Sequence, residues 1–256
     1  MISLPNVPQS PGQVLSKGIE IGVNSYVRLI LFTSLVGFIG LIPVLYLALH
    51  IGDTTVSADV LSEARDAGWY LIELACLLAN ALIQGILVMR LDNLVQRGNV
   101  DFHAEWQRGL HALLPLFIAS VVFLCALIVG YVLLIVPGVI LTISLLFFQF
   151  CVVLDRQGPI AGLNRSHTLV WGNWWRTFGV VILMVLLVLL IVVVLMVPVA
   201  LLLDMHPAAS VLTGRDLLVR GVMQMLGAVF LGPFVLAIMY VQYQDLKLRQ
   251  ANTVSA

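Results

Sequence analysis

The sequence predicts an all-α, polytopic membrane protein with six transmembrane helices. Of the 256 residues, 61% are hydrophobic and only 10% are charged, and the mean hydropathy is +1.07. Soluble domains carry about 25% charged residues, so this composition is typical of a chain embedded in lipid. A helix needs about 20 mainly apolar residues to cross the hydrocarbon core, and six segments reach or approach that length. The predicted spans are 29–51, 69–89, 112–135, 138–154, 178–203 and 222–241.

These spans form one predicted transmembrane domain, residues 29–244, between two cytoplasmic tails, residues 1–28 and 245–256. The segments outside the spans are too short for a soluble domain. The first span is long and has no small-residue cleavage site at its end, so we do not predict a removable signal peptide.

The cysteines and the net charge of the chain predict neither a cofactor nor a metal site. Cys76, Cys125 and Cys151 fall in three different spans, which argues against a disulfide framework or a metal knuckle. The net charge is zero, which gives no basis for a nucleic-acid partner.

Lys and Arg residues collect on one side of the predicted membrane. Cytoplasmic segments carry an excess of these cations because positive charge resists translocation. One side holds ten of the 13, which are Lys17, Arg28, Arg90, Arg97, Arg108, Arg156, Arg165, Arg176, Lys247 and Arg249. The other side holds Arg65, Arg215 and Arg220, and its first loop is acidic through Asp53, Asp59, Glu63 and Asp66. We therefore predict that both termini lie in the cytoplasm.

Short interfacial helices are predicted on the cytoplasmic face before spans one, three and five. The elements LSKG, WQRG and LNRS, at 15–18, 106–109 and 163–166, each run apolar, polar, cation, small. This similarity fits either a weak repeat or chance in so apolar a chain. Ser10 with Gln13 forms a capping-box pattern, and Asp101 is a second helix start.

The third of these elements begins at Gly158 and Pro159 and has an amphipathic pattern. Its apolar positions recur at helical spacing, and they are Ile160, Leu163, His167, Val170 and Trp171. The pattern turns Asn164, Arg165 and Ser166 away from that face. Such a helix can lie in the plane of a membrane.

The segment RSHTLVWGNWWRTFG, residues 165–179, admits two interpretations. Ser166 beside His167 suggests a nucleophile and its base, but adjacent helical positions point about 100° apart, and no acid is placed to orient the histidine. Tryptophans instead suit the headgroup layer, and arginines pair with lipid phosphate. We predict no catalytic residue. We predict a lipid-headgroup collar formed by Arg108, Arg165, Trp171, Trp174, Trp175 and Arg176.

Span two carries the polar residues that point to transport. Glu73, Asn80 and Gln84 are seven and four residues apart, so they share one helix face. Carboxylates inside membranes are costly and are functional candidates. The alternative is structural: Glu73 reaches water or His50 at the outer boundary, and the two amides fasten helices. Close packing is predicted at Gly37 and Gly40 in span one.

The last two thirds of the chain resemble a known family. The VPG turn at 136–138, the exit VVLDRQGPIAGLNRSHTLVWGNWWRTFG at 152–179 and the ending YVQYQDLKLR at 240–249 resemble the YciC-like bacterial inner-membrane family. They are also similar to the membrane domain joined to some glycerophosphodiester phosphodiesterases. The resemblance covers about two thirds of the chain. It implies a six-helix membrane protein of poorly defined role, associated with the envelope or with lipids.

Two classes of function follow. The first is a non-enzymatic membrane protein whose basic helices engage lipids, a membrane-protein partner or a second copy of the chain. The second is a small transporter or channel subunit that uses the face of Glu73, Asn80 and Gln84. Transport predicts a polar cavity at mid-membrane that is lined by at least two spans, whereas a scaffold predicts tight packing there and polar atoms only at the membrane faces.

Overall fold

The computed structural model describes residues 4, 7–52, 56–57, 65–98, 100–202 and 211–254. Within them the chain is almost entirely helical, as predicted. The helices are α1 (Pro11–Ile51), α2 (Ala67–Gln96), α3 (Phe102–Leu133), α4 (Ile135–Leu145), α5 (Phe148–Val153), α6 (Pro159–Trp171), α7 (Trp174–Leu202) and α8 (Gly214–Val254). Two strands, β1 (Val56–Ser57) and β2 (Val211–Leu212), pair antiparallel.

Six helical segments are long and apolar enough to cross a membrane, which confirms the predicted fold class. They are Pro11–Ile51, Ala67–Gln96, Phe102–Leu133, Ile135–Val153, Trp174–Val194 and Gly214–Asn252. The fourth comprises α4 and α5 with the break between them. The last residue of the predicted fifth span, Leu203, and the acidic-loop residues Asp53, Asp59 and Glu63 lie outside the described residues.

The helix starts follow the predicted capping chemistry. Ser10 and Gln13 bond reciprocally: the Ser10 N–H donates to Gln13 Oε1 at 2.8 Å, and the Gln13 N–H donates to Ser10 Oγ at 3.4 Å. Asp101 Oδ1 accepts from the Ala104 N–H at 3.1 Å and so caps α3. Each bond satisfies an amide that the first turn of a helix leaves without a partner.

The interfacial segments predicted before spans one and three are not separate helices. They are the first turns of α1 and α3, which continue from Pro11 and Phe102 into the spans without a break. Each segment ends in a glycine, but Gly18 and Gly109 serve close packing within a continuous helix: an added Cβ would lie 2.6 Å from Ile238 and 2.5 Å from Ile86, respectively. A break inside an apolar environment would also leave backbone groups unsatisfied. Only α6 is a distinct helix, because a non-helical turn at 154–158, with Arg156 at φ +56°, precedes Pro159.

The chain divides into two compact units. The first unit comprises residues 1–29, 81–186 and 233–256, and the second comprises 30–80 and 187–232.

In the first unit, α3 and α4 form a tight hairpin. Leu134, the residue between them, is extended at φ −166° and ψ 153°. The two helices meet at glycines, because a Cβ on Gly130 would lie 3.0 Å from the Cα of Gly138. A Cβ on Gly138 would overlap the Tyr131 ring at 2.5 Å. The VPG motif of the sequence is therefore a close-packed helix start.

Helix α6 packs antiparallel against α4 and α5 along its length. Near its start, a Cβ on Gly162 would lie 2.6 Å from Val152, and four residues later the Ser166 hydroxyl bonds to Ser144 and Phe147.

The second unit packs α1 against α8 through small residues. A Cβ on Gly37 would lie 2.9 Å from Met225 Cγ, and one on Gly221 would lie 2.8 Å from Leu41. The predicted close approach at Gly37 is confirmed. The same prediction for Gly40 is wrong, because no atom lies within 4 Å of the position where its Cβ would be.

Candidate functional site

Four of the six predicted headgroup residues line one groove in the first unit. This collar groove has a volume of about 760 Å³. It is lined by Trp171, Gly172, Asn173, Trp174, Trp175, Arg176 and Phe178 on one side, and by Ile135, Val136, Val139 and Ile140 of α4 on the other. Arg108 and Arg165 do not line it.

The aromatic wall of the collar groove is a stack of adjacent rings. Trp174 lies parallel to Phe178 with ring centroids 5.3 Å apart, and Trp175 meets Trp174 edge-on at 4.8 Å. Trp171 is 61% exposed and Trp175 is 78% exposed. The indole Nε1 of Trp174 is buried and has no hydrogen-bond partner among the described residues. The collar groove is therefore mainly apolar, with few polar groups along its walls.

Arg176 is held by the protein, although the sequence favoured a lipid phosphate as its partner. Its Nη2 donates to Asp245 Oδ2 at 2.9 Å and to the carbonyl oxygen of Gln9. Arg249 Nε donates to the same Asp245 oxygen at 2.8 Å, and the Gln9 N–H donates to Asp245 Oδ1 at 2.6 Å. We call Gln9, Arg176, Asp245 and Arg249 the tail network. It joins the segment before α1, the start of α7 and the end of α8.

Arg108 is also engaged, as a cap on a helix end. Its Nε and Nη2 both donate to the carbonyl oxygen of Val153, at 3.0 and 2.5 Å. Val153 is the last residue of α5, where carbonyls have no partner within the helix. By contrast, no described residue forms a hydrogen bond or ion pair with the Arg165 guanidinium.

The cation excess used to orient the chain is therefore largely paired inside the protein. At least six of the ten predicted cytoplasmic cations have a protein acceptor, and they are Lys17, Arg90, Arg108, Arg176, Lys247 and Arg249.

Ser166 is a structural residue at a break in the fourth span. Its hydroxyl donates to the Ser144 carbonyl at 2.9 Å and accepts from the Phe147 N–H at 3.1 Å. Both backbone groups border the turn between α4 and α5, so the hydroxyl replaces bonds of the interrupted helix. The expectation that Ser166 faces away from the packed side is wrong. The buried residues of α6 are Gly162, Leu163, Ser166, Leu169 and Val170.

The neighbouring histidine is not placed as a base for this serine. The His167 ring packs on Trp171 with centroids 4.9 Å apart. The Ser166 hydroxyl already donates its proton to one backbone carbonyl and accepts a hydrogen bond from one backbone N–H. This geometry lacks the serine–base hydrogen bond that nucleophilic catalysis needs.

Sequence reasoning missed Glu105, which is fully buried. Its Oε2 lies 3.3 Å from Arg90 Nε, and its Oε1 accepts from Asn93 Nδ2 at 3.3 Å. It escaped notice because it precedes the predicted third span. The signal was the presence of Arg90 and Asn93 on the other side of a short loop.

In the second unit, Glu73 and Asn80 line one cavity of about 360 Å³. We call this the Glu73 cavity. Its other polar lining residues are Arg65, Trp69 and Gln224, and its wall on α1 is formed by Gly40, Pro43, Val44 and Leu47. Gln84, the third predicted transport residue, does not line it. The cavity is bounded by three helices, α1, α2 and α8.

Several polar groups around the Glu73 cavity have no protein partner. No described residue forms a hydrogen bond or ion pair with the Glu73 carboxylate. Asn80 Oδ1 and Trp69 Nε1 are buried and unpartnered among the described residues. The contact of Glu73 with His50 that the sequence suggested is not observed, because His50 packs on Tyr46 at 4.5 Å.

The start of α2 is held in place by Asp66, the residue before the helix. Its Oδ1 accepts from the Trp69 N–H at 2.8 Å and from the Tyr46 hydroxyl at 3.0 Å. These bonds, the first above all, hold the pKa of Asp66 below its usual value. Arg65 lies over the Trp69 ring, 4.9 Å from its centroid. The described residues contain no group of three His, Cys, Asp or Glu side chains that could hold a metal ion.

Comparison with known protein families gives a match over most of the chain. The model of the family described as Domain of unknown function (DUF7847) matches residues 22–246. This chain belongs to that family. The match runs from α1 to near the end of α8 and includes the collar groove and the Glu73 cavity. No curated protein matches the chain, and no solved structure does.

Proposed function

We propose that this chain is a non-enzymatic integral protein of a bacterial inner membrane that binds phospholipid in the collar groove. One observation carries the proposal: Trp171, Trp174 and Trp175 line a single apolar groove of about 760 Å³. Ligand sites commonly enclose about 300–1,000 Å³ and are mainly apolar. The groove is therefore large enough for much of an acyl chain.

The polar contacts of the lipid come from groups that the protein leaves free. Tryptophans at a membrane boundary keep the ring in apolar surroundings and the N–H beside polar ones. Arg176 contributes its side chain to the groove wall, because the tail network already uses its charge. Arg165 does not line the groove, but no described residue forms a hydrogen bond or ion pair with its guanidinium. It is the proposed ligand of an anionic headgroup that extends beyond the groove.

The predicted topology and the YciC-like resemblance fit this role. The distribution of Lys and Arg predicts that both termini lie in the cytoplasm, and the resemblance implies lipid or envelope association. A second copy of the chain or another membrane protein is a compatible partner. The serine geometry described above supports the absence of nucleophilic catalysis in the collar.

Lipid retention tests the proposal. We expect the double variant Trp171→Ala/Trp175→Ala to lose about fivefold of the phosphatidylglycerol that co-purifies with the chain, since about 1 kcal/mol of contact corresponds to that factor. Native mass spectrometry counts the bound lipids. Trp106→Ala is the matched control, because Trp106 is an exposed tryptophan of α3 outside the groove.

The headgroup assignment has its own arm in the same experiment. Arg165→Gln should reduce retention of phosphatidylglycerol but not of zwitterionic phosphatidylcholine, because only the first carries a net charge. Wild-type lipid retention by the double tryptophan variant would contradict the proposal.

A second candidate function is membrane transport by the polar face of span two. The Glu73 cavity favours it, because Glu73 and Asn80 line a polar cavity bounded by three helices. Tight packing at this position would have favoured a scaffold.

A further inference from the structure

The Glu73 cavity lies where the close packing of α1 on α8 ends, at Gly40, which is exposed. Elsewhere α1 packs tightly on α8, as at Gly37, where an added Cβ would lie 2.9 Å from Met225. One turn later, the Cβ position of Gly40 has no atom within 4 Å, and Gly40 lines the cavity. The volume of about 360 Å³ corresponds to about a dozen waters at roughly 30 Å³ each. Such a space suits a small organic molecule and is too large for a bare ion.

The lining provides acceptors that lack donors. The Glu73 carboxylate has no hydrogen-bond or ion-pair partner among the described residues, and Asn80 Oδ1 is buried without one. Seven residues of helix place these groups about 10 Å apart along α2. Glu73 is partly exposed at the cavity, and a carboxylate that is partly removed from water is stabilised by an opposite charge. A buried amide oxygen is stabilised by a donor. A ligand that carries a positive charge and N–H groups satisfies both.

The protein's own cation does not fill this role. Arg65 lines the cavity, but its guanidinium lies over the Trp69 ring and is not within ion-pair distance of Glu73. Arg65 is exposed at the start of α2, where water and salt screen its charge.

We propose that the Glu73 cavity binds a small organic ammonium ion. The ammonium group forms an ion pair with the Glu73 carboxylate, and the rest of the ligand lies along the α1 wall of the cavity. The inference concerns equilibrium binding in the second unit. It depends neither on lipid binding in the collar groove nor on transport, so each of the three can fail alone.

Three probes of matched size separate charge from shape. They are n-butylammonium, n-butanol and butyrate, each titrated into the purified full-length chain in a neutral detergent. Saturation-transfer NMR on the probe reports binding. We expect saturable binding of n-butylammonium in the millimolar range, and at least about tenfold weaker binding of the other two.

Two variants and one control locate the site. Glu73→Gln keeps the shape of the side chain and removes its charge, so it should weaken n-butylammonium binding at least about tenfold. Gly40→Leu fills the open wall and should abolish binding. Gly227→Leu is the matched control: it also points into space with no atom within 4 Å, lies in the second unit, and does not line the cavity. It should bind as wild type does.

Several results would overturn the inference. One is equal binding of the three probes, and another is n-butylammonium binding that survives Glu73→Gln. Preferred binding of butyrate would indicate an anion site at Arg65. A Glu73-dependent stabilisation by Na⁺ without any by n-butylammonium would indicate an inorganic-ion site. If Gly40→Leu does not fold, the isosteric Glu73→Gln variant still decides the matter.

Discussion

The buried acids of the first unit have protein partners, whereas the acid of the second unit that lines a cavity has none. Asp245 is bound by Arg176, Arg249 and the Gln9 amide, and Glu105 lies against Arg90 and Asn93. Glu73 instead faces a cavity with no described partner. A buried charge with partners holds helices together, and a charge beside empty space is available to a ligand. The partner, more than the residue type, separates structural from functional candidates.

The largest expected effect is on Asp245. Asp245→Ala leaves two arginines without their carboxylate, and breaking a buried pair costs about 3–5 kcal/mol. Unfolding in mixed micelles, followed by tryptophan fluorescence, measures the change. The control is Glu20→Ala, which removes an exposed pair with Lys17 of the same 2.9 Å length and should cost about 1 kcal/mol or less. Similar losses in both variants would show that the tail network is not a buried structural pair.

An intermediate effect is expected at Ser166. Ser166→Ala leaves the Phe147 N–H and the Ser144 carbonyl without partners in a buried place, at a cost of about 1–3 kcal/mol. The sequence alone predicted little effect. Thr168→Ala is the control, because the Thr168 hydroxyl bonds only to the Arg165 carbonyl on the exposed side of α6. The same unfolding assay applies, and a neutral Ser166→Ala would mean that the break in the fourth span needs no hydroxyl.

The smallest effect is expected at Glu73, and it tests the comparison directly. Glu73→Gln should change the free energy of unfolding by no more than about 0.5 kcal/mol, because no described partner is lost. Glu105→Gln makes the same chemical change at a partnered acid and should cost about 1–3 kcal/mol. Parallel unfolding curves of the two variants give the difference. Equal losses would assign Glu73 a structural role and remove the contrast between the units.

Much of the fold was predictable because its causes are local. Apolar length set the six spans, and the Ser10 and Asp101 caps formed as their spacing indicated. The tryptophans of the collar were correctly grouped, because Trp171, Trp174 and Trp175 are close in sequence as well as in space. Their facing wall on α4 was not predictable, since nothing in an apolar run indicates which helix it meets.

The sites depended on long-range pairs that no local pattern carries. The sequence marked Arg176 as a headgroup ligand, but its carboxylate lies 69 residues away on α8. It placed Glu73, Asn80 and Gln84 on one helix face, and the structure keeps only the first two at the cavity. Helical spacing states which residues share a face, whereas the neighbouring helices decide where that face is open.

The sequence by itself determined that this chain is a helical membrane protein, which caps start α1 and α3, and which residue types are rare enough to matter. The tertiary structure alone decided which of those residues are already satisfied. Hydropathy and capping act over a few residues and can be read along the chain. Whether a charged group has a partner depends on the atoms within about 4 Å of it. In this fold those atoms come from distant segments: Asp245 for Arg176 and Val153 for Arg108. Glu73 has no such partner among the described residues and lines a cavity.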